Sequence, residues 1–120
     1  MARILAVDDS AAMRQMVRVT LHAAGHDVSA ATNGREALEA ARQQQFDLVI
    51  ADVNMPEMDG IALVKELRAL PCYQHIPILF LTTEGGPDRK LEGRAAGATG
   101  WMMKPFNPES LTATVAKVLK

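Results

Sequence analysis

Cysteine occurs once, at Cys72, so an internal disulfide framework is excluded. Net charge is nearly absent as well. Thirteen Lys and Arg against fourteen Asp and Glu leave a formal charge of -1, which removes any global electrostatic case for nucleic acid or an anionic membrane. Charge chemistry must therefore be local. No apolar run approaches the ~18 to 20 residues that a membrane span requires. The opening MARILAVDDS sets two acids where a secretory signal would continue its apolar stretch, so a cytoplasmic protein is expected. Internal repeats, low-complexity tracts and linkers are missing too. The 120 residues suit one domain, burying about two thirds of the surface its unfolded form exposes, and leave no room for a second. The expectation is a single domain over residues 1–120.

What is present is an alternation of two periodicities. Five apolar runs of strand length, at residues 3–7, 27–31, 47–51, 78–81 and 100–103, are separated by segments of helical spacing. That pattern predicts an α/β fold, with parallel strands and crossover helices on both faces of one sheet. The third run, DLVIA, and the fourth, ILFL, are apolar without alternation, as strands covered on both faces are, so both are placed centrally. Met13, Met16, Val17, Leu21 and Ala24 give the first helix an apolar stripe, and Leu63, Val64, Leu67 and Leu70 give the third another. Gly25 and Gly97 stand where left-handed helix caps are wanted. FNPES opens the last helix, with Asn107 as N-cap, Pro108 first in the helix and Glu109 near the positive end of the dipole; Leu111, Val115, Val118 and Leu119 form its buried face. The fourth helix, GGPDRKLEGRAAG, is the weak one. Gly93 costs it about 1 kcal/mol relative to Ala, few large apolar residues compensate, and it is expected to be mobile.

In such sheets, ligands bind outside the carboxyl ends of the strands, near the point where strand order reverses. Those ends carry Asp8 and Asp9, then Asp52, then Thr82 and Thr83, then Lys104. Singly, each has an ordinary reading: Asp9 or Ser10 as N-cap of the first helix, Asp52 as a turn cap, Thr82 as a strand residue, Lys104 as a solvated loop lysine. Together they are a conflict, because three carboxylates at one sheet edge repel one another and raise at least one pKa unless a cation intervenes. The donors are all oxygen, which selects a hard ion, and Mg2+ fits because it binds through few carboxylates, keeps waters and accepts a phosphoryl oxygen. Lys104 and Thr82 would add the positive charge and the hydroxyl donor that a phosphoryl group lacks in an acidic pocket. Such a pocket can make one carboxylate a nucleophile toward phosphorus.

Four motifs in order, VDDS, ADVNMPEMDG, LFLTT and GWMMKPF, make the whole chain resemble the receiver domains of two-component response regulators, and in length the stand-alone, CheY-like chemotaxis regulators. The resemblance implies a flavodoxin-like doubly wound sheet of five strands, order 2-1-3-4-5, with five helices. It implies Asp52 as phosphoacceptor. Asp8, Asp9, Asp52 and the backbone carbonyl of Asn54 would hold Mg2+, one acid through water. Thr82 and Lys104 would contact the phosphoryl oxygens, Thr82 and Trp101 would form the switch, and the Lys104–Pro105 peptide would be cis. By the same resemblance a histidine kinase supplies the phosphoryl group. The domain would catalyse its own phosphorylation and slow autodephosphorylation without multiple turnover. As a monomer, it would act on a partner such as a flagellar motor switch or chemotaxis component through the fourth helix, fifth strand and fifth helix. Three features depart from or modulate the common pattern. Trp101 stands where Tyr or Phe is usual, Thr83 replaces a small residue, and Asn54 and Glu84 lie where the family tunes the phosphorylated lifetime.

Rival functions remain. A flavodoxin-type cofactor binder would need hydroxyls, Gly and backbone amides in the first loop, where this chain has two acids. A haloacid-dehalogenase-like Mg2+-dependent phosphatase would want an acid two residues after its nucleophile, where this chain has Asn54. A receiver serving as a phosphate sink, or as a binding module alone, is a further alternative. His22, His26 and His75 lack metal-like spacing and are read as structural or solvated; Met55 and Met58 flank Pro56 as a plug over the sheet edge; Cys72 is read as an unreactive loop or helix-end thiol.

Overall fold

Strand and helix alternate along the chain in the computed structural model, which describes residues 2–83 and 85–119. The order is β1 (Arg3–Val7), α1 (Ala11–Ala23), β2 (Asp27–Ala31), α2 (Gly34–Gln43), β3 (Leu48–Ala51), α3 (Gly60–Arg68), a 3-10 turn (Pro71–Tyr73), β4 (Ile78–Thr82), α4 (Pro87–Ala96), β5 (Gly100–Met103) and α5 (Pro108–Val118). The strands form one sheet in the order β2-β1-β3-β4-β5, every pair parallel. Strand order therefore reverses at β1, and the crevice for a ligand opens between the carboxyl ends of β1 and β3.

Period-two alternation divides the core between the two faces. Leu5, Val7, Val49, Ala51 and Phe80 pack with Leu63, Val64 and Leu67 of α3 and Ala37, Leu38 and Ala41 of α2. Ile4, Ala6, Leu48, Ile50, Leu79 and Leu81 pack on the opposite face with Val17 and Leu21 of α1 and Leu111 and Val115 of α5. All residues of β3 and β4 are buried, as their unbroken apolar runs predicted. Met16 departs from the predicted stripe and stays 47% exposed. The buried seam of α1 is the i, i+4 pair Val17 and Leu21, and Met16 lies beside that seam rather than on it.

The ends of the helices follow local chemistry. Ser10, Asn33, Asp59 and Asn107 cap α1, α2, α3 and α5, each accepting a backbone N–H of the first turn. Gly25 and Gly97 take φ values of 94° and 115°. Two anchors have no signature in local sequence. The buried Tyr73 hydroxyl lies 2.8 Å from the Ala41 carbonyl and 2.7 Å from that of Gln44, and it accepts the Phe46 N–H at 3.1 Å, joining the end of α2 to the entry of β3. Arg68 donates to the carbonyls of Gly97, Tyr73 and Ile76, tying the end of α3 to the end of α4 and to the loop before β4. Among the described residues, no helix is long and apolar enough to cross a membrane.

Candidate metal centre and phosphoryl site

Sheet register builds the site. Val7 pairs with Ala51, so the next residue of each strand, Asp8 and Asp52, leaves the sheet beside the other. The Asp8 N–H donates to the Ala31 carbonyl and the Asp52 N–H to the Val7 carbonyl, which continues the ladder one step past the strand ends. One strand over, Ala51 pairs with Phe80, which sets Thr82 at the same end of the sheet; Thr82 pairs with Met103, so Lys104 follows directly. The Lys104 N–H donates to the Thr82 carbonyl at 2.9 Å. Asp8, Asp52 and Thr82 are buried, whereas Asp9 and Thr83 are exposed.

Lys104 crosses the crevice. Its Nζ donates to Asp8 Oδ2 at 2.6 Å and to Asp52 Oδ2 at 2.9 Å. Asp8 Oδ1 accepts the Ser10 N–H at 2.9 Å, and Asp52 Oδ1 accepts the Asn54 N–H at 3.2 Å. Burial pushes the Asp8 carboxyl above its ordinary pKa of 3.8, against the opposing pull of Lys104 and the Ser10 amide. Burial alone would lower Lys104, but its hydrogen bonds to Asp8 and Asp52 outweigh that and hold it above 10.5, so the ammonium keeps its charge. Oxygen atoms of Asp8, Asp9 and Asp52 lie within 4.8 Å of one another. Their donor chemistry fits a hard divalent ion, and the cluster could hold one. The Lys104–Pro105 peptide is cis, and Phe106 just beyond it is buried.

The loop after Asp52 is held by close packing. A Cβ at Gly60 would collide with the Asp52 carbonyl and lie 2.8 Å from Phe80 Cε1, so only glycine lets α3 begin so near the site. Gly60 N–H also donates to the Val53 carbonyl at 2.8 Å. Met55 is buried and Met58 half-buried, with Glu57 between them at a φ of 68°. Trp101 is half-buried, its indole edge-on to Phe80 with centroids 5.1 Å apart and planes at 64°. Packing accounts for the glycine at position 93 of α4, because a Cβ there would stand 2.8 Å from Trp101 Cζ3. Glu84, one of the positions assigned to lifetime tuning, lies outside the described residues.

Of the predicted residues, Asp8, Asp52 and Lys104 meet directly, Asp9 joins the cluster, and Thr82 sits adjacent through the backbone of Lys104. Trp101 belongs to the Phe80 and Gly93 contact instead. Sequence reasoning missed Arg14, whose Nη1 donates to the Asp8 carbonyl at 2.7 Å. Its only sequence signal is a basic residue one turn beyond the Ser10 cap. His26 proves structural, its Nδ1 accepting the Ala2 N–H at 3.2 Å.

Comparison with known proteins points to one family. Residues 4–116 match the family model of the response regulator receiver domain. A chemotaxis protein CheY homolog of Campylobacter jejuni is 40% identical over 119 residues, covering 98% of this chain and 92% of that protein. The crystal structure of the Vibrio cholerae chemotaxis protein CheY4 superposes with a TM-score of 0.95 at 54% identity, covering 98% of each chain. The receiver domain of a sensor histidine kinase from Pseudomonas aeruginosa shares the fold at a TM-score of 0.91 and 24% identity, over 98% of this chain and 97% of that one; in that protein a magnesium ion is coordinated in the active site cleft. Because these matches run nearly end to end through both partners, this chain belongs to the CheY-like receiver domains of response regulators, the signalling units of phosphorelays.

Proposed function

We propose that Asp52 is the phosphoacceptor of a phosphorelay, loaded from the phosphohistidine of a histidine kinase, and that residues 1–120 act as one cytoplasmic, monomeric receiver. The observation carrying this reading is Lys104 Nζ bridging Asp8 and Asp52 at the sheet's reversal point. Asp8, Asp9, Asp52 and the Asn54 carbonyl would hold Mg2+, which when bound neutralises charge on the cluster and on an incoming phosphoryl group. Asp52 supplies the carboxylate oxygen that bonds to phosphorus. As that bond forms, the donor's P–N bond breaks, and its electron pair stays on the imidazole nitrogen, which takes up a proton from water. Lys104 is already charged and already beside the attacking oxygen, so it needs little movement to meet the phosphoryl oxygens, with the Thr82 hydroxyl from the next strand. Catalysis on this reading is positioning and charge stabilisation. The same residues support slow loss of the phosphoryl group to water, and the absence of an acid at position 54 disfavours a turnover phosphatase.

The signal would leave through α4, β5 and α5. A phosphoryl anion on Asp52 would draw Thr82 inward and free space beneath α4, and Trp101 would turn into it. Moving a 1:99 equilibrium to 99:1 takes about 5.5 kcal/mol, and two charge-assisted hydrogen bonds of roughly 1.5 to 3 kcal/mol each supply most of that. The output partner would be a flagellar motor switch or chemotaxis component. Incubation with acetyl phosphate and Mg2+ followed by intact-protein mass spectrometry is expected to find one added phosphoryl group, absent in Asp52→Asn. An unmodified wild-type chain would refute the reading. Trp101 emission that responds to Mg2+ but not to a beryllofluoride mimic would refute the aromatic switch alone.

A further inference from the structure

We propose that Arg14 is a positioning residue for the cation site: by gripping the Asp8 carbonyl it sets the direction of the Asp8–Asp9 peptide and brings the Asp9 carboxylate into the cluster. The inference rests on reading Asp8, Asp9 and Asp52 as ligands of a divalent cation.

Consecutive residues of a strand project to opposite faces, so two adjacent acids cannot both face one site while the strand continues. Here β1 stops at Val7, yet the carboxylates of Asp8 and Asp9 both lie in the cluster with Asp52. Something must hold the chain in this departure. The Asp8 N–H is held by the Ala31 carbonyl, Asp8 Oδ1 by the Ser10 N–H, and the start of α1 by Ser10 Oγ accepting the Met13 N–H. None of these three contacts grips the peptide linking Asp8 to Asp9. The Asp8 carbonyl belongs to that planar unit, so a donor on it fixes the plane from which the Asp9 side chain departs.

Arg14 is that donor, with Nη1 at 2.7 Å. It is carried rigidly, because its own N–H closes the first turn of α1 on the Ser10 carbonyl at 3.0 Å. Among the described residues Arg14 forms no ion pair. A half-buried guanidinium aimed at a carbonyl beside three carboxylates, rather than paired with one of them, acts through backbone geometry. Arg14 also lines a small void with Asp8, Asp52, Val17 and Leu81, so its side chain is confined as well as bonded.

Calorimetric titration with Mg2+ tests this on the full chain, using wild type, Arg14→Met and Arg14→Lys, with urea unfolding in chelator as the control for folding. Arg14→Met keeps much of the length of the side chain and removes the donor. Loss of a partner that orients a metal ligand weakens affinity by about 10-fold or more, and that weakening is expected for Arg14→Met with its metal-free unfolding midpoint nearly unchanged. Arg14→Lys, a point donor without the planar fork, is expected to fall between the two, about 3-fold weaker than wild type. A purely structural role would lower the midpoint and leave the Mg2+ dissociation constant alone. An Arg14→Met constant within about 2-fold of wild type overturns the proposal, the loss expected being several times larger; if that variant does not fold, unchanged affinity in Arg14→Lys overturns it. Failure of wild type itself to bind Mg2+ would instead overturn the reading of the cluster.

Discussion

Replacing Asp8 by Asn weighs the cluster's electrostatics against the stability of the fold. The Asp8 carboxylate lies within 4.8 Å of those of Asp9 and Asp52, and at an effective dielectric of ~20 each such contact costs about 3.5 kcal/mol or more before screening. Asp9 is exposed, so its share is further screened by salt. Against this stands Lys104 Nζ at 2.6 Å, an attraction of about 6 kcal/mol on the same scale. The Coulomb contributions thus largely offset one another, and burial of the carboxylate decides the sign, as the raised pKa of Asp8 reflects. The amide removes the buried charge and keeps an oxygen for the Ser10 N–H; its NH2 replaces the oxygen that accepted from Lys104 Nζ, so the ammonium gives up that contact and keeps its pairing with Asp52. The metal-free variant is expected to be more stable by about 1 kcal/mol, a rise in Tm of roughly 4 °C for a domain of this size. The pH dependence follows from the same shift. The folded state binds the Asp8 proton more tightly than the unfolded chain, so wild type loses stability as pH rises from 3.8 through the folded value, and the variant's advantage grows across that window and then levels off. Mg2+ should reverse the ranking: at about 100 times its dissociation constant it stabilises wild type by about 2.7 kcal/mol, and Asp8→Asn by much less. Urea unfolding in chelator and in Mg2+, at several pH values, measures all of this. A metal-free Asp8→Asn that is less stable than wild type by about 1 kcal/mol or more, a shift of several degrees in Tm, or an equal response of both proteins to Mg2+, would refute the claim that the acids are held in mutual conflict for a cation.

Tyr73→Phe is expected to cost roughly 2 kcal/mol, because it strands the buried Phe46 N–H and removes the one hydroxyl donor from beside the Ala41 and Gln44 carbonyls; denaturant midpoints report it, and a neutral result would deny the anchor its role. Glu57 holds a left-handed φ of 68°, so Glu57→Gly should relieve about 1 kcal/mol of that strain, offset in part by the added freedom of the unfolded chain; urea midpoints measure the balance. Gly93→Ala improves helix propensity by about 1 kcal/mol yet forces a Cβ against Trp101 and Phe80, an overpacking worth about 1 to 3 kcal/mol. It should therefore lower stability and shift Trp101 emission to the red as the indole moves toward water. Higher stability with unchanged emission would contradict the packing account. Lys104 is held above 10.5 in the fold, so the stability it contributes is present below that pH and is lost as pH climbs through the folded value; Lys104→Met should flatten that alkaline limb in urea titrations.

The elements themselves were legible in the chain because their signals are local. Unbroken apolar runs marked β3 and β4 as central, the three- and four-residue spacing of Leu63, Val64 and Leu67 marked the buried side of α3, and Asn107 with Pro108 marked the start of α5. The residue types at the strand ends were legible too, since an acid or a lysine after a buried strand stands out against its apolar neighbours. Sequence spacing could not settle contacts between distant segments. Lys104 reaches Asp8 across 96 positions only because the register of three parallel pairings, β1 with β3, β3 with β4 and β4 with β5, brings both strand ends to one edge. Met16 shares the spacing of its neighbours but not their burial, since which side of the seam α1 presents depends on where β1 and α5 lie. By propensity alone Gly93 is a defect of α4, yet the indole packed against it leaves no space for a Cβ, and nothing in the local sequence shows that Arg14 ends on the Asp8 carbonyl. By itself the sequence determined the order and kind of the elements and the chemistry available at their ends, because propensity, capping and periodicity act over a few residues. Only the tertiary structure decided which of those groups touch, because hydrogen-bond register and side-chain packing are set by partners that the chain brings together from far apart.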